Sequence, residues 1–134
     1  MAYKVNSESP YFIAKALKEI GGNMIYLSTD YVFNGLNSTP YKPYDPRDPL
    51  GVYGASKVQG EDKIQSLLKS SKQSTVLRTS WLMGPTGKNF ALTMLRLIRE
   101  RDTLNIVSDQ IGSPTSTNSL SRLCWHLIEK YSNG

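Results

Sequence analysis

Ser28-Thr29 ends a short apolar run, Met24 to Leu27, and Tyr53 and Lys57 stand four residues apart at the start of a stretch with helical periodicity. A free phenol has a pKa of about 10 and is a poor proton donor or acceptor at neutral pH. An ammonium one helical turn away favours the phenolate and brings the group into a useful range. Thr29 adds a hydroxyl that can bond an oxygen on which charge develops. Together these residues suit proton transfer at the oxygen of a carbonyl or carbinol carbon. The interval itself is weak evidence, because the chain has 8 tyrosines and Tyr11/Lys15 repeats the same spacing. Context favours Tyr53, which follows a strand end carrying hydroxyls and a long loop. Tyr11 falls in the first turn of an amphipathic helix and reads as helix surface.

The elements that must position these groups alternate along the chain. Ser7, Pro10 and the recurrence of Phe12, Ile13, Ala16, Leu17 and Ile20 predict a first helix, stopped by Gly21-Gly22. Met24–Ser28 reads as a buried strand. Residues 34–52, with Pro40, Pro43, Pro46 and Pro49, read as a long surface loop of the kind that is functional or mobile. The spacing predicts a second helix from Tyr53 to about Ser70 with Ala55, Val58, Ile64, Leu67 and Leu68 inward. Thr75–Thr79 is expected to be a strand and Trp81–Lys88 a loop. Asn89 is expected to cap a third helix bearing Phe90, Met94, Leu95, Leu97 and Ile98. Leu104–Val107 reads as a strand, Asp109–Thr115 as a loop, and Thr117 as the cap of a last helix. Alternation of this kind predicts an α/β fold with a parallel sheet and helices on both faces. Ligands bind beyond the carboxyl ends of such strands, where Ser28 and Thr29 lie.

Composition sets the frame. Apolar residues make up 39% and charged residues 20% of the chain, the proportions of an ordinary globular protein. No apolar run approaches a bilayer span and no signal-peptide core stands at the N-terminus, so no membrane association and a cytoplasmic location are expected. The lone Cys124, in an apolar stretch, is expected to be a buried inert thiol, and one Cys with one His leaves no structural zinc site. The net charge of +5 falls entirely in residues 68–134. A mildly basic half suits a phosphate-bearing ligand or a solvated face, and no nucleic-acid signature accompanies it.

The joint pattern is more specific than any pair. Ser28-Thr29-Asp30-Tyr31-Val32-Phe33-Asn34-Gly35, Pro40-Tyr41, and Pro49-Leu50-Gly51-Val52-Tyr53-Gly54-Ala55-Ser56-Lys57 with Gly60-Glu61 resemble the extended short-chain dehydrogenase/reductases. Arg78-Thr79-Ser80-Trp81, Gly87-Lys88-Asn89-Phe90, Met94-Leu95-Arg96-Leu97 and Asp109-Gln110-Ile111-Gly112-Ser113-Pro114-Thr115 narrow the resemblance to the dTDP-4-dehydrorhamnose reductase branch. It extends from about Asn6 to Ile128. It implies a partial Rossmann-like fold, NADPH or NADH as cofactor, a dTDP-sugar as partner, and reduction of the 4-keto group of dTDP-4-dehydro-L-rhamnose. Carried over by residue, the catalytic hydroxyl falls on Thr29, the acid on Tyr53 and the lysine on Lys57. Ser28, Tyr53 and Lys57 fall at the cofactor. Thr29, Tyr31, Trp81 and Asn89 fall at the substrate. Arg78 ends a strand, where it would reach a phosphate or stand solvated.

The family's opening strand, Gly-x-x-Gly-x-x-Gly turn and helix, which bind the pyrophosphate, have no counterpart in these residues. Residues 1–134 are therefore expected to be a single domain: the later part of a dinucleotide-binding domain plus the start of the substrate-binding region, from a protein roughly twice as long. Two other readings follow. Regulatory subunits of methionine adenosyltransferase lie in the same branch and bind partners without reducing sugars, and an incomplete frame would be an inactive fragment. Exposed sheet edges in such a piece favour homo-oligomers or aggregation.

Overall fold

Helix α1 (Ser9–Glu19) begins with Pro10 in its first turn, and its carbonyls are closed off by Gly21 at φ 68° with the Gly22 amide donating 2.8 Å to the Leu17 carbonyl. Only glycine adopts that left-handed angle without strain. The sequence Gly21-Gly22 thus stops the helix as expected. A π-helical turn, Lys4–Glu8, precedes it directly. The computed structural model describes residues 1–68 and 73–132, so the end of the second expected helix at Ser70 lies outside the described residues.

After α1 the order is β1 (Met24–Thr29), a 3-10 turn (Asp30–Val32), α2 (Val52–Leu67), β2 (Ser74–Thr79), β3 (Leu82–Met83), α3 (Phe90–Glu100), β4 (Thr115–Ser116) and α4 (Thr117–Ser132). The chain divides into two compact units, Met1–Arg78 and Thr79–Gly134.

In the first unit β1 pairs with β2, and α1 and α2 pack on each other and on β1. Its core is Ala14, Tyr26, Ile64 and Leu68, with Met24, Leu67 and Val76 against it. The expected apolar stripe of α2 is present at the helix end, in Ile64, Leu67 and Leu68, but not along the rest of its inward side. That side carries Gly54, Ser56, Gly60, Glu61 and Ile64, while Ala55 and Val58 are half-buried. Small residues permit close approach: a Cβ on Gly54 would collide with the Tyr31 carbonyl oxygen, and one on Gly60 with the Asn6 carbonyl oxygen. Of the periodic apolar residues of α1, Leu17 is half-buried. Phe12, Ile13 and Ile20 are exposed, and Pro10 and Ala14 are the buried positions. The contact face of α1 is chosen by what fits against α2, and small residues fit.

The loop between the 3-10 turn and α2 is tied down. Phe33 and Tyr41 stack with ring centroids 4.2 Å apart and planes 6° apart. Asn34 donates to Asp48 at 3.0 Å, and the Asp48 amide donates to the Val32 carbonyl at 2.9 Å.

In the second unit β3 and β4 form a two-stranded parallel sheet with Leu82 opposite Thr115 and Met83 opposite Ser116. The expected strand at Leu104–Val107 is not formed, and residues 105–107 are exposed. An extended apolar run becomes a strand only when a neighbour satisfies its backbone groups, and no described strand pairs with it. Conversely, the segment expected to be loop supplies β3. Asn89 caps α3 as expected: its Oδ1 accepts from the Leu92 amide at 3.0 Å. Cys124 is half-buried, less enclosed than expected. No described helix is long and apolar enough to cross a membrane.

Candidate active site

The carboxyl end of β1 and the first turns of α2 hold the expected reactive groups of the first unit. Thr29 is buried and its hydroxyl donates 3.0 Å to Asp30 while accepting, at 3.3 Å, from the Tyr31 amide. Two local bonds therefore set its side chain, and it must release Asp30 to donate elsewhere. Tyr53, in the first turn of α2, is 49% exposed and leaves its ring edge-on to Tyr31, with centroids 6.1 Å apart at 73°. The absent side chain at Gly54 is what lets this turn approach the Tyr31 backbone. Tyr31 is itself exposed, so the two phenols form an open aromatic edge.

Lys57 is half-buried and donates 2.9 Å to the Leu27 carbonyl. Its ammonium also lies 4.8 Å from the centre of the Tyr26 ring. The described contacts of this ammonium are thus with the strand and with Tyr26. Burial pushes the Lys57 pKa down, against the opposing charge of Glu61. Tyr26 is pushed up to about 12 by burial, then by the charges of Glu61 and Tyr53. Its hydroxyl donates 2.6 Å to the Asn6 carbonyl, and Asn6 in turn donates 3.1 Å to Ser56.

Ser28 is buried and donates 2.5 Å to Glu61. Glu61 is the residue that reasoning from spacing passed over. It is completely buried and accepts from Arg78 at 3.0 and 2.7 Å and from Arg47 at 3.2 Å. Burial raises its pKa, but the bonds from Arg78 and Ser28 and the charges of Arg78 and Arg47 prevail and hold it below the usual carboxylate range. The available signal was a carboxylate one helical turn after Lys57, next to Gly60. Arg78 neither stands solvated nor faces an open phosphate site. Its guanidinium forks onto Glu61, donates 2.9 Å to the Pro43 carbonyl and lies 5.2 Å from the centre of the Phe33 ring. A buried carboxylate demands such a partner, and a planar fork satisfies both of its oxygens. The competing pair is different in kind: Lys15 is exposed, and Tyr11 faces Lys63, 5.5 Å from its ring centre.

Trp81 and Asn89 belong to the second unit. Trp81 has φ 45°, a left-handed angle that is strained for a bulky side chain. Its indole lies 5.6 Å from Phe90, and a Cβ on Gly112 would stand 2.8 Å from the indole nitrogen. Ser80 Oγ donates 2.5 Å to the Ser113 carbonyl, and the Thr115 amide donates 3.1 Å to the Trp81 carbonyl, fastening the 109–115 loop beside the indole. Asn89 Nδ2 donates 2.9 Å to the Gly84 carbonyl, so this side chain spans the loop and the helix start. Among the described residues no group of His, Cys, Asp and Glu could hold a metal ion.

The sequence profile described as the RmlD substrate binding domain matches residues 1–134. Spore coat polysaccharide biosynthesis protein SpsK of Bacillus subtilis (strain 168) is 46% identical over 120 residues, 90% of this chain and 41% of that protein. The dTDP-4-dehydrorhamnose reductase of Aggregatibacter actinomycetemcomitans is 43% identical over 129 residues, 96% of this chain and 43% of that protein. Among solved structures, a dTDP-4-dehydrorhamnose reductase from Clostridium acetobutylicum ATCC 824 superposes with a TM-score of 0.89 at 36% identity, over 98% of this chain and 46% of its own. The reductase of Bacillus anthracis str. Ames, solved in complex with NADP, gives 0.87 at 38% identity, over 95% of this chain and 44% of its own. The chain spans less than half the length of these relatives. The α/β, Rossmann-like class read from the sequence agrees with these neighbours. The chain belongs to the dTDP-4-dehydrorhamnose reductase family and matches its RmlD substrate binding domain throughout.

Proposed function

We propose that these residues form the proton-transfer part of an NAD(P)H-dependent reductase that converts the 4-keto group of dTDP-4-dehydro-L-rhamnose to the alcohol of dTDP-L-rhamnose. The observation that supports the reading is that Thr29 ends β1 while Tyr53 and Lys57 lie in the first turns of α2, Tyr53 beside the Tyr31 ring and Lys57 bonded to the Leu27 carbonyl, inside a family of reductases of that keto-sugar. The donor set suits both ligands. A half-exposed phenol and a buried threonine hydroxyl suit a keto oxygen, and an ammonium suits a ribose diol. The relative solved with NADP supports NADPH as the cofactor, which when bound supplies the hydride.

Tyr53 gives its proton to the oxygen of the keto group, Thr29 bonds the same oxygen as charge grows on it, and Lys57 steadies the phenolate left behind. Lys57 and Ser28 are assigned to the cofactor side. Tyr31 in the first unit, and Trp81 and Asn89 in the second, are each assigned to the substrate by the family resemblance alone. In this reading residues 1–134 are the later part of a dinucleotide-binding domain plus the start of a substrate-binding region, working in the cytoplasm. Exposed strand edges would be the route to a homo-oligomer.

Replacing Tyr53 with Phe in the intact protein is expected to lower keto-sugar reduction by a factor of about 10²–10⁴, with binding of the dTDP-sugar retained. NADPH consumption measures the rate and calorimetry the binding. A wild-type rate removes Tyr53 from the role of acid.

A further inference from the structure

We propose that Glu61 is a positioning residue for this site, locking the Ser28-Thr29 end of β1 to the helix turn that carries Lys57. The proposal rests on the proton-transfer reading above and names the group that holds its parts in register. Four donors from three places converge on the one carboxylate: Ser28 at the end of β1, Arg78 with two nitrogens near the end of β2, and Arg47 from the loop before α2. The side chain has no exposed surface. Arg47 also donates 2.7 Å to Asp62, and Arg78 reaches the Pro43 carbonyl, so the same cluster fastens the loop that leads into Tyr53.

Stability alone does not call for this arrangement. A buried ion cluster is often replaceable by apolar side chains at no loss of stability, whereas removing one partner leaves an uncompensated charge. What the cluster does provide is register. Lys57 and Glu61 lie one helical turn apart on α2, and they grip consecutive residues of β1: Lys57 bonds the Leu27 carbonyl, and Glu61 accepts from Ser28. The next residue is Thr29. Two contacts from one helix face to consecutive strand residues set both the depth and the rotation of the strand end. A shift there moves Thr29 relative to the turn that bears Tyr53 and Lys57, and a misplacement of about 1 Å can cost about a hundredfold in rate.

Two variants of the intact protein test this, each assayed at a temperature where circular dichroism shows it fully folded. Glu61→Gln keeps the shape and removes the charge. Ser28→Ala keeps every charge and removes the hydroxyl that bonds Glu61. The expected result for Glu61→Gln is a kcat for keto-sugar reduction lowered about tenfold, with the KM values for sugar and NADPH held within about twofold of wild type. Ser28→Ala is expected to show a smaller loss in the same sense. NMR is expected to report a displaced Thr29 amide and faster exchange of the Lys57 ammonium in both. Unchanged kcat in the folded variants overturns the proposal, as does a loss confined to KM in Glu61→Gln. Should Glu61→Gln not fold, Ser28→Ala decides by kcat at saturating NADPH and by the Thr29 amide, a lowered kcat with a displaced amide supporting the proposal and an unchanged kcat or an unmoved amide overturning it. If the wild-type protein reduces no keto-sugar, the reaction assignment fails by itself. The Thr29 and Lys57 signals then judge the positioning role, displaced signals supporting it and unmoved ones overturning it.

Discussion

Tyr26 and Glu61 sit in one cluster and are pulled in opposite directions. Tyr26 has its folded pKa raised from 10.0 to about 12, so the neutral phenol is favoured by folding. That contribution is fully present below about pH 10 and is lost as the pH rises through about 12. A tyrosinate absorbance titration should show a late-ionising phenol at about 12, and Tyr26→Phe should abolish that step. The same substitution loses the bond to the Asn6 carbonyl, at about 1 kcal/mol. Glu61 has its folded pKa held below the ordinary 4.5, so its contribution is present above pH 4.5 and is lost as the pH falls through the folded value. Acid unfolding followed by circular dichroism should therefore be less steep in Glu61→Gln than in wild type. At this scale the sequence was informative about residue types and poor about partners. Tyr53 and Lys57 are as close in sequence as Tyr11 and Lys15, yet Lys57 is anchored to β1 while Lys15 is exposed. The long-range bond from Ser28 to Glu61 has no local trace at all.

Element ends were more legible than element faces. The Gly21-Gly22 stop and the Asn89 cap depend on bonds to residues a few positions away, so local sequence was enough. Asn89→Ala should cost about 1 kcal/mol, within a range of about 0.5–2. It would appear as a lower thermal midpoint with the fold otherwise kept. The faces depended on partners elsewhere in the chain. Helix α2 presents glycines, Ser56 and Glu61 inward because β1 and the 3-10 turn come close to it. Gly54→Ala puts a methyl group against the Tyr31 carbonyl and the Pro49 side chain. It should destabilise by about 1–3 kcal/mol in urea titrations. The same change should separate the Tyr31 and Tyr53 rings, visible as altered ring-proton shifts. Leu104–Val107 has strand composition and no described strand partner, and composition alone cannot supply one.

For the molecule as a whole, the small apolar core of the first unit concentrates its sensitivity. Ile64 has no exposed surface and packs with Ala14, Tyr26 and Leu68. Ile64→Ala should cost about 2–5 kcal/mol, a large share of the roughly 5–15 kcal/mol that keeps a domain folded. Equilibrium unfolding in urea would measure it. The sequence by itself determined the family, the alternation of helix and strand, and the order of Thr29, Tyr53 and Lys57 along the chain. These follow from short-range spacing and from motifs written in consecutive residues. Only the tertiary structure decided that Arg78 serves Glu61 instead of standing free. Only it decided that Phe12, Ile13 and Ile20 of α1 are exposed and that the end of β1 is gripped at Leu27 and Ser28 by one face of α2. Each of these is a choice among distant partners, made by burial and by the need of a buried charge for donors, and neither is visible until the chain has folded.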